Sequence, residues 1–311
     1  MSDGIHHRAV MLGIRKTLVG VLTEPHDYKA DDRPVFVILN SGIIHRVGHH
    51  RMYVTLARAL AGAGYQALRF DLSGVGDSDS RGDALSPLEA ALADVREVVD
   101  WLVTTREARR IILVGLCSGA DHSLVYAISD PRICGLVLLD PSIPPTRWFY
   151  VRELLHHLTR PQAWINLVTG RGSWSTRLHR AIGLAYDNSR ERHSLDLSDP
   201  AIRLFLQNAY QRSMDLGMKC LAVFTSGMPH QHNYRRQILD AFPTVPFTGR
   251  LQLEYFSGCD HVFTSENDRK RLFGILLAWV EATIFDRQGG AEANPRGVVH
   301  PESLDYVSYE V

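Results

Sequence analysis

Residues 111–128 read IILVGLCSGADHSLVYAI, and this stretch decides how the rest of the chain is read. Ile111–Val114 is a short apolar run rich in β-branched residues, the pattern of a strand buried on both faces. Ser118–Ile128 carries a helical pattern, so only Gly115-Leu116-Cys117 separates strand from helix. A bend that sharp leaves no room for side chains beside its central residue, which explains Gly115 and Gly119. It also thrusts the central side chain out above the carboxyl edge of a sheet. Cys117 therefore stands at a helix N-terminus, where free N–H groups and the dipole favour a thiolate. The bland alternative is a small buried core residue, as most free cysteines are. In this strand–G-x-C-x-G–helix context Cys117 is the candidate nucleophile. Ser118 lies one residue past the tip and offers its backbone N–H, not its hydroxyl, as an oxyanion donor.

Outward from the bend the same rhythm repeats. Upstream, apolar segments around Val10–Ile14 and Thr17–Thr23 precede a strand at Val35–Leu39, a helix at Arg51–Ala63 and a strand at Ala67–Phe70. Ser86-Pro87 opens a long amphipathic helix that buries Leu88, Leu92, Val95, Val98, Val99 and Leu102. Downstream come a strand at Ile133–Leu139, a helix at Ala201–Leu216 and a strand at Cys220–Thr225. A helix near Tyr234–Ala241, a strand at Leu251–Phe256 and a helix at about Asp268–Ile284 follow. Strand and helix in alternation predict right-handed crossovers and a mostly parallel sheet covered on both faces. The rhythm fails over 144–198, where Trp148, Phe149, Leu154, Leu155, Trp164, Ile165 and Trp174 sit among Arg and His residues. That stretch reads as a helical lid inserted into a core formed by 1–143 and 199–285. Residues 286–311 are polar and aperiodic, the pattern of a tail.

Composition narrows the field. The chain has 311 residues, 34 basic and 34 acidic, and 45% hydrophobic content. Zero net charge argues against a protein built to hold nucleic acid or an anionic membrane, since both need a concentrated positive field. The longest apolar runs are too short to span a bilayer. MSDGIHHRAV lacks a basic stretch followed by an apolar one, and Cys117, Cys134, Cys220 and Cys259 show no disulfide or metal spacing. The expected compartment is the reducing cytoplasm. No G-x-x-x-x-G-K-[ST] and no G-x-G-x-x-G after the first strand is present, so no nucleotide cofactor is expected. The pairs His49/His50, His156/His157 and His230/His232 have no carboxylate or Cys at ligand spacing. They read as solvated or pocket-rim histidines, and no metal is expected.

Four pieces in family order make the sequence resemble the α/β-hydrolase superfamily. They are Asn40-Ser41-Gly42 after the third strand, Arg69-Phe70-Asp71-Leu72-Ser73-Gly74-Val75-Gly76-Asp77-Ser78 after the fourth, the elbow at 115–119, and Gly258-Cys259-Asp260-His261 after the last. The resemblance covers about residues 10–285 and departs at the nucleophile, Cys where most members have Ser. It looks like the cysteine branch, although the rest of the chain is closer to serine esterases and thioesterases. It implies His261 as general base and the backbone N–H of Ile43, with Gly42 allowing close approach, as the second oxyanion donor.

The acid is the weak point of the resemblance. The family's usual loop, residues 226–233 here, contains no carboxylate. Asp140 at the end of the sixth strand, Asn233, Asp260 and Asp240 are the substitutes, with Asp140 preferred. A thiol tolerates a weak or missing acid better than a hydroxyl does, because a thiolate forms more readily.

The expected activity is acyl transfer through a Cys117 acyl-enzyme. Thioesters on coenzyme A or a carrier protein lead, because thiolate attack on a thioester exchanges like for like. A carboxylester or lactone hydrolase, or a non-catalytic binding protein on a hydrolase fold, are the alternatives. Trp148 and Phe149 are expected to line an acyl pocket. Arg46, Arg51, Arg147 and Arg152 are expected candidates for meeting a carrier's phosphate.

Overall fold

The computed structural model describes residues 4–29, 31–158 and 196–284. Eight strands form one sheet: β1 (Ile5–Leu12), β2 (Leu18–Pro25), β3 (Val35–Ile38), β4 (Ala67–Phe70), β5 (Ile111–Leu116), β6 (Ile133–Leu139), β7 (Lys219–Thr225) and β8 (Leu251–Phe256). The spatial order is β1-β2-β4-β3-β5-β6-β7-β8. β1–β2 and β2–β4 pair antiparallel and every later pair is parallel. This is an α/β-hydrolase fold.

Helices cover both faces. On one side lie α2 (Pro87–Arg106), α3 (Ser118–Ala127) and α5 (Pro200–Asp215); on the other lie α1 (Met52–Gly62) and α7 (Glu266–Ile284). The period-2 alternation of β5 shows why the strand is apolar throughout. Ile111 and Leu113 enter the cluster under α2 and α3, whereas Ile112, Val114 and Leu116 enter the cluster under α1 and α7. Each such side chain contributes roughly 1.5–3 kcal/mol by leaving water. Local signals set the ends of α2. Ser86 accepts from the Glu89 N–H, the Glu89 carboxylate accepts from the Ser86 N–H at 2.9 Å, and Pro87 fills the first helical position.

Between α3 and α5 the structure describes α4 (Arg147–Leu158), which opens the segment expected to be a lid. Trp164, Trp174 and the 286–311 tail lie outside the described residues. A short helix, α6 (Gln237–Ala241), follows β7. Among the described residues no helix is long and apolar enough to cross a membrane.

The β5–α3 bend is closed by backbone contact. A Cβ on Gly115 would stand 2.1 Å from the carbonyl of Gly119, and one on Gly119 would stand 2.3 Å from the Asn40 carbonyl oxygen. Neither neighbour is a flexible side chain, so a methyl group forces the backbone apart. Gly119→Ala is expected to cost about 3 kcal/mol, read as a lowered urea midpoint. An unchanged midpoint refutes this account of the bend.

Candidate active site

β5 ends at Cys117, whose φ of 55° and ψ of −123° lie in territory that non-glycine residues seldom occupy. Strain of this kind costs on the order of 1–3 kcal/mol and persists only where the surroundings over-determine it. Here the Cys117 N–H donates to the Leu139 carbonyl at 2.9 Å, and the Cys117 carbonyl accepts from Ala120 N–H at 2.8 Å and Asp121 N–H at 3.2 Å. The side chain is half-buried, not sealed. Beside it is Tyr53, fully buried, with a phenol that has no hydrogen-bond partner among the described residues.

His261 sits in the loop after β8, close enough to Cys117 for the sulfur to raise its pKa. Its Nδ1 lies 2.8 Å from Asp140 Oδ2. Gly227 makes room for this loop, since a Cβ there would meet the His261 backbone nitrogen at 2.2 Å. Asp140 follows β6 with φ 44° and donates its own N–H to the Val223 carbonyl at 2.8 Å. Its carboxylate is 1% exposed, and Thr225 donates to both oxygens, N–H to Oδ1 at 2.6 Å and Oγ1–H to Oδ2 at 2.7 Å.

A second imidazole faces the same carboxylate. His232, fully buried, brings Nε2 to 3.1 Å from Asp140 Oδ1, off the line of a well-formed hydrogen bond, so the contact is chiefly electrostatic. Its ring meets Phe224 edge-on at 4.8 Å. His232 corrects the reading of the histidine pairs as solvated: it is buried against Asp140 while also lining the cavity beside Trp148. Its sequence signal was only its loop, the one the family uses for the acid.

The electrostatics follow from these contacts. Burial pushes the Asp140 carboxyl upward, but His232, His261 and Thr225 outweigh it and hold the group below the usual carboxylate range. Burial pushes His261 downward, yet Asp140 and Cys117 lift it to about 9. The imidazole is thus protonated at neutral pH, between a carboxylate and a sulfur. A raised pKa means that this pairing stabilises the fold fully below about pH 6.5, the free-imidazole value. The contribution is lost as pH rises through about 9.

The other sequence candidates fall elsewhere. Asn233 donates Nδ2–H to the Phe149 carbonyl at 3.0 Å and so tethers α4. Asp260 accepts from Val262 and Thr264 N–H groups, and Asp240 accepts from Tyr234. None of the three orients His261. Gly42 has φ +53° and its N–H donates to Ser118 Oγ at 2.7 Å, latching the loop after β3 onto the start of α3. The Ile43 N–H has no partner among the described residues, and Ser118 N–H, at the first helical position, has no intrahelical acceptor.

Arg46 requires a correction. Its guanidinium is 12% exposed and bound to Asp71 and, at 2.6 Å, to Asp77, so it braces two loops and is not available to a carrier's phosphate. His45, Asp71 and Asp77 have ligand atoms within 4.8 Å of one another, but this guanidinium already fills the carboxylates. Trp148, 61% exposed, lines a cavity of about 840 Å³ with Val151, Leu155, Ser226, His232 and Tyr255. Phe149 does not line it: its ring is buried and packs against Tyr150.

Residues 37–195, just over half of the chain, match the family model described as serine aminopeptidase, S33. The chain belongs to this family of α/β hydrolases. No curated protein is significantly similar to this hydrolase in sequence. Among solved structures it is similar to dienelactone hydrolase from Anabaena variabilis, with 12% identity, TM-score 0.55, and coverage of 90% of this chain and 98% of that one. It is similar to an esterase from Pyrococcus furiosus at 13% identity and TM-score 0.55, covering 91% and 92%. Proline iminopeptidase from Mycobacterium smegmatis follows at 15% identity and TM-score 0.51, covering 89% and 99%. Identities this low speak to the fold of the hydrolase.

Burial pushes Cys220 and Cys259 up to about 12, whereas Cys117 is accessible and paired with an imidazolium. Iodoacetamide at pH 6.5 is expected to label Cys117 first, and His261→Gln to slow that labelling about tenfold or more. Peptide mass mapping reads the order. Equal, slow labelling of all four cysteines contradicts an activated sulfur.

Proposed function

We propose that this hydrolase cleaves acyl substrates through an acyl-enzyme on Cys117, with carboxylic esters and lactones as its first substrate class. One observation carries the reading: His261 stands 2.8 Å from the buried Asp140 carboxylate and close enough to Cys117 for the sulfur to raise its pKa. The esterase and the dienelactone hydrolase among the structural neighbours support oxygen esters as the class.

In the first half-reaction the Cys117 sulfur forms a bond to the acyl carbon while the carbonyl π pair moves to oxygen. The Ile43 and Ser118 N–H groups are the donors available to that oxyanion. Collapse re-forms the carbonyl and breaks the bond to the leaving oxygen, which takes the proton from His261. In the second, neutral His261 removes a proton from water, the hydroxide attacks the thioester carbon, and the sulfur leaves as thiolate. Asp140 stays ionised throughout and holds the imidazole in orientation.

A second reading, thioester cleavage or acyl transfer, draws on the nucleophile itself. Expelling a thiolate from a thiol-derived intermediate is like for like, whereas expelling an alkoxide is harder. Against the missing-acid argument for a non-catalytic scaffold stands the Asp140 carboxylate, 2.8 Å from His261 Nδ1.

Incubation with p-nitrophenyl acetate, or with an acetyl thioester, followed by intact mass measurement tests the reading. A mass increase of one acetyl group is expected, absent in Cys117→Ala, with kcat/KM for that variant lowered roughly 10³-fold or more. Asp140→Asn is expected to lower kcat/KM about 10²-fold, less than a serine enzyme would lose. Turnover of esters and thioesters by Cys117→Ala at the wild-type rate overturns the proposal.

A further inference from the structure

Arg69 is a charged side chain that nothing on the described protein neutralises, its Nε buried without a partner. It lies on β4, 8% exposed, shallow yet covered, and its guanidinium makes no hydrogen bond or ion pair among the described residues. Buried guanidinium groups are as a rule paired.

The surroundings make matters worse. Antiparallel register places Arg69 opposite Val21, Val21 opposite Ala9, and Thr23 opposite His7, so these side chains share the sheet face on which α1 packs. Arg51, Thr55 and Arg58, at helical spacings of four and three, occupy one face at the start and middle of α1. Arg58 Nε–H donates to His7 Nε2 at 3.3 Å, closing the strip across β1. Arg46, Arg51 and Arg58 all repel the Arg69 charge, which after burial is what lowers Arg69 to about 10. The nearest carboxylate, Asp71, is already taken by Asn40, Arg46 and the Asp77 N–H. Glu24 belongs to the opposite face, bound to Gln66 and Arg106.

We propose that this strip is an anion subsite for a phosphate group, with Arg69 at its floor and Arg58 and Arg51 on its wall. Several cations around one covered guanidinium suit a multiply charged anion better than a single carboxylate, and the guanidinium fork matches phosphate oxygens two at a time. Arg51 is two residues from His49, which is close enough to feel the charge of His261. His50, next to Arg51, meets Thr264 Oγ1 at 3.2 Å, so the Arg51 end of the strip adjoins the loop that carries His261. The proposal stands whichever acyl bond is cleaved and whether or not Cys117 is the nucleophile.

Thermal unfolding and titration calorimetry of the full chain, in chloride buffer with added inorganic phosphate, pyrophosphate or coenzyme A, test it. Phosphate is expected to raise the wild-type midpoint in a dose-dependent manner. Arg69→Met is expected to abolish that response and, having shed an unpaired charge, to melt no lower than wild type in phosphate-free buffer. Arg58→Gln, on the exposed wall, is expected to weaken phosphate binding about fivefold or more and serves if Arg69→Met fails to fold. Competition between phosphate and coenzyme A places the phosphate on an organic arm. Binding of phosphate without coenzyme A makes it a free ion; either result supports the subsite. No phosphate response at millimolar concentration, or an equal response in wild type and Arg58→Gln, overturns it.

Discussion

Backbone against backbone at the elbow is the constraint on which the site depends. Gly119 lies so close to the Asn40 carbonyl, and Gly115 so close to Gly119, that no Cβ fits at either position. That contact lets α3 start directly above the end of β3. It sets Cys117 above the sheet and brings the Ser41–Ile44 loop beside Ser118, where the Gly42 N–H finds the Ser118 hydroxyl. Polar side chains fix the rest of the loop: Asn40 accepts from Leu72 N–H at 2.7 Å and donates to the Ile44 carbonyl, while Asp71 gathers Arg46 and the Asp77 N–H. Cys117 and the N–H groups of Ile43 and Ser118 are thus positioned by close packing and buried hydrogen bonds, with little left to the loops themselves.

The acid end of the site follows a different logic. β6 and β7 run in register, with Leu139 level with Val223, so the residue after β6 comes to lie beside Thr225 at the end of β7. Asp140 can be buried there because Thr225 supplies two donors and His261 supplies positive charge, with the His232 ring at 3.1 Å on the other oxygen. A buried carboxylate so surrounded remains ionised and fixes the imidazole. Pairing it with a thiol gives an imidazolium beside sulfur at neutral pH, the arrangement that a cysteine nucleophile uses and a serine does not need.

Zero net charge conceals a strongly uneven distribution. The carboxylates near the loops after β3 and β4 are consumed by Arg46, which leaves Arg51, Arg58 and Arg69 as uncompensated positive charge on the α1 side of the sheet. Electrostatic complementarity of a site is a property of such local balances, which whole-chain arithmetic averages away.

The sequence alone determined what short-range patterning governs. Period-2 and helical runs located the strands and helices from β2 onward, whereas β1 (Ile5–Leu12) begins five residues before the apolar segment read at Val10–Ile14; two glycines around a cysteine, between strand and helix, specified the elbow and with it the fold class. Gly258-Cys259-Asp260-His261, after the last strand, singled out the histidine. The remainder was decided by contacts between segments far apart in the chain. Asp140 and His261 are 121 residues apart, and which of four candidates meets the imidazole depends on strand register and on the path of two loops. Arg46 turned from a presumed anion ligand into a brace because Asp71, 25 positions on, reaches it first. His232 became a neighbour of the acid, and Arg69 a buried cation without a partner, only once β7 and β4 were packed in place. Local propensity carries no record of such pairings, because their energy arises from burial and charge proximity that exist only in the folded chain.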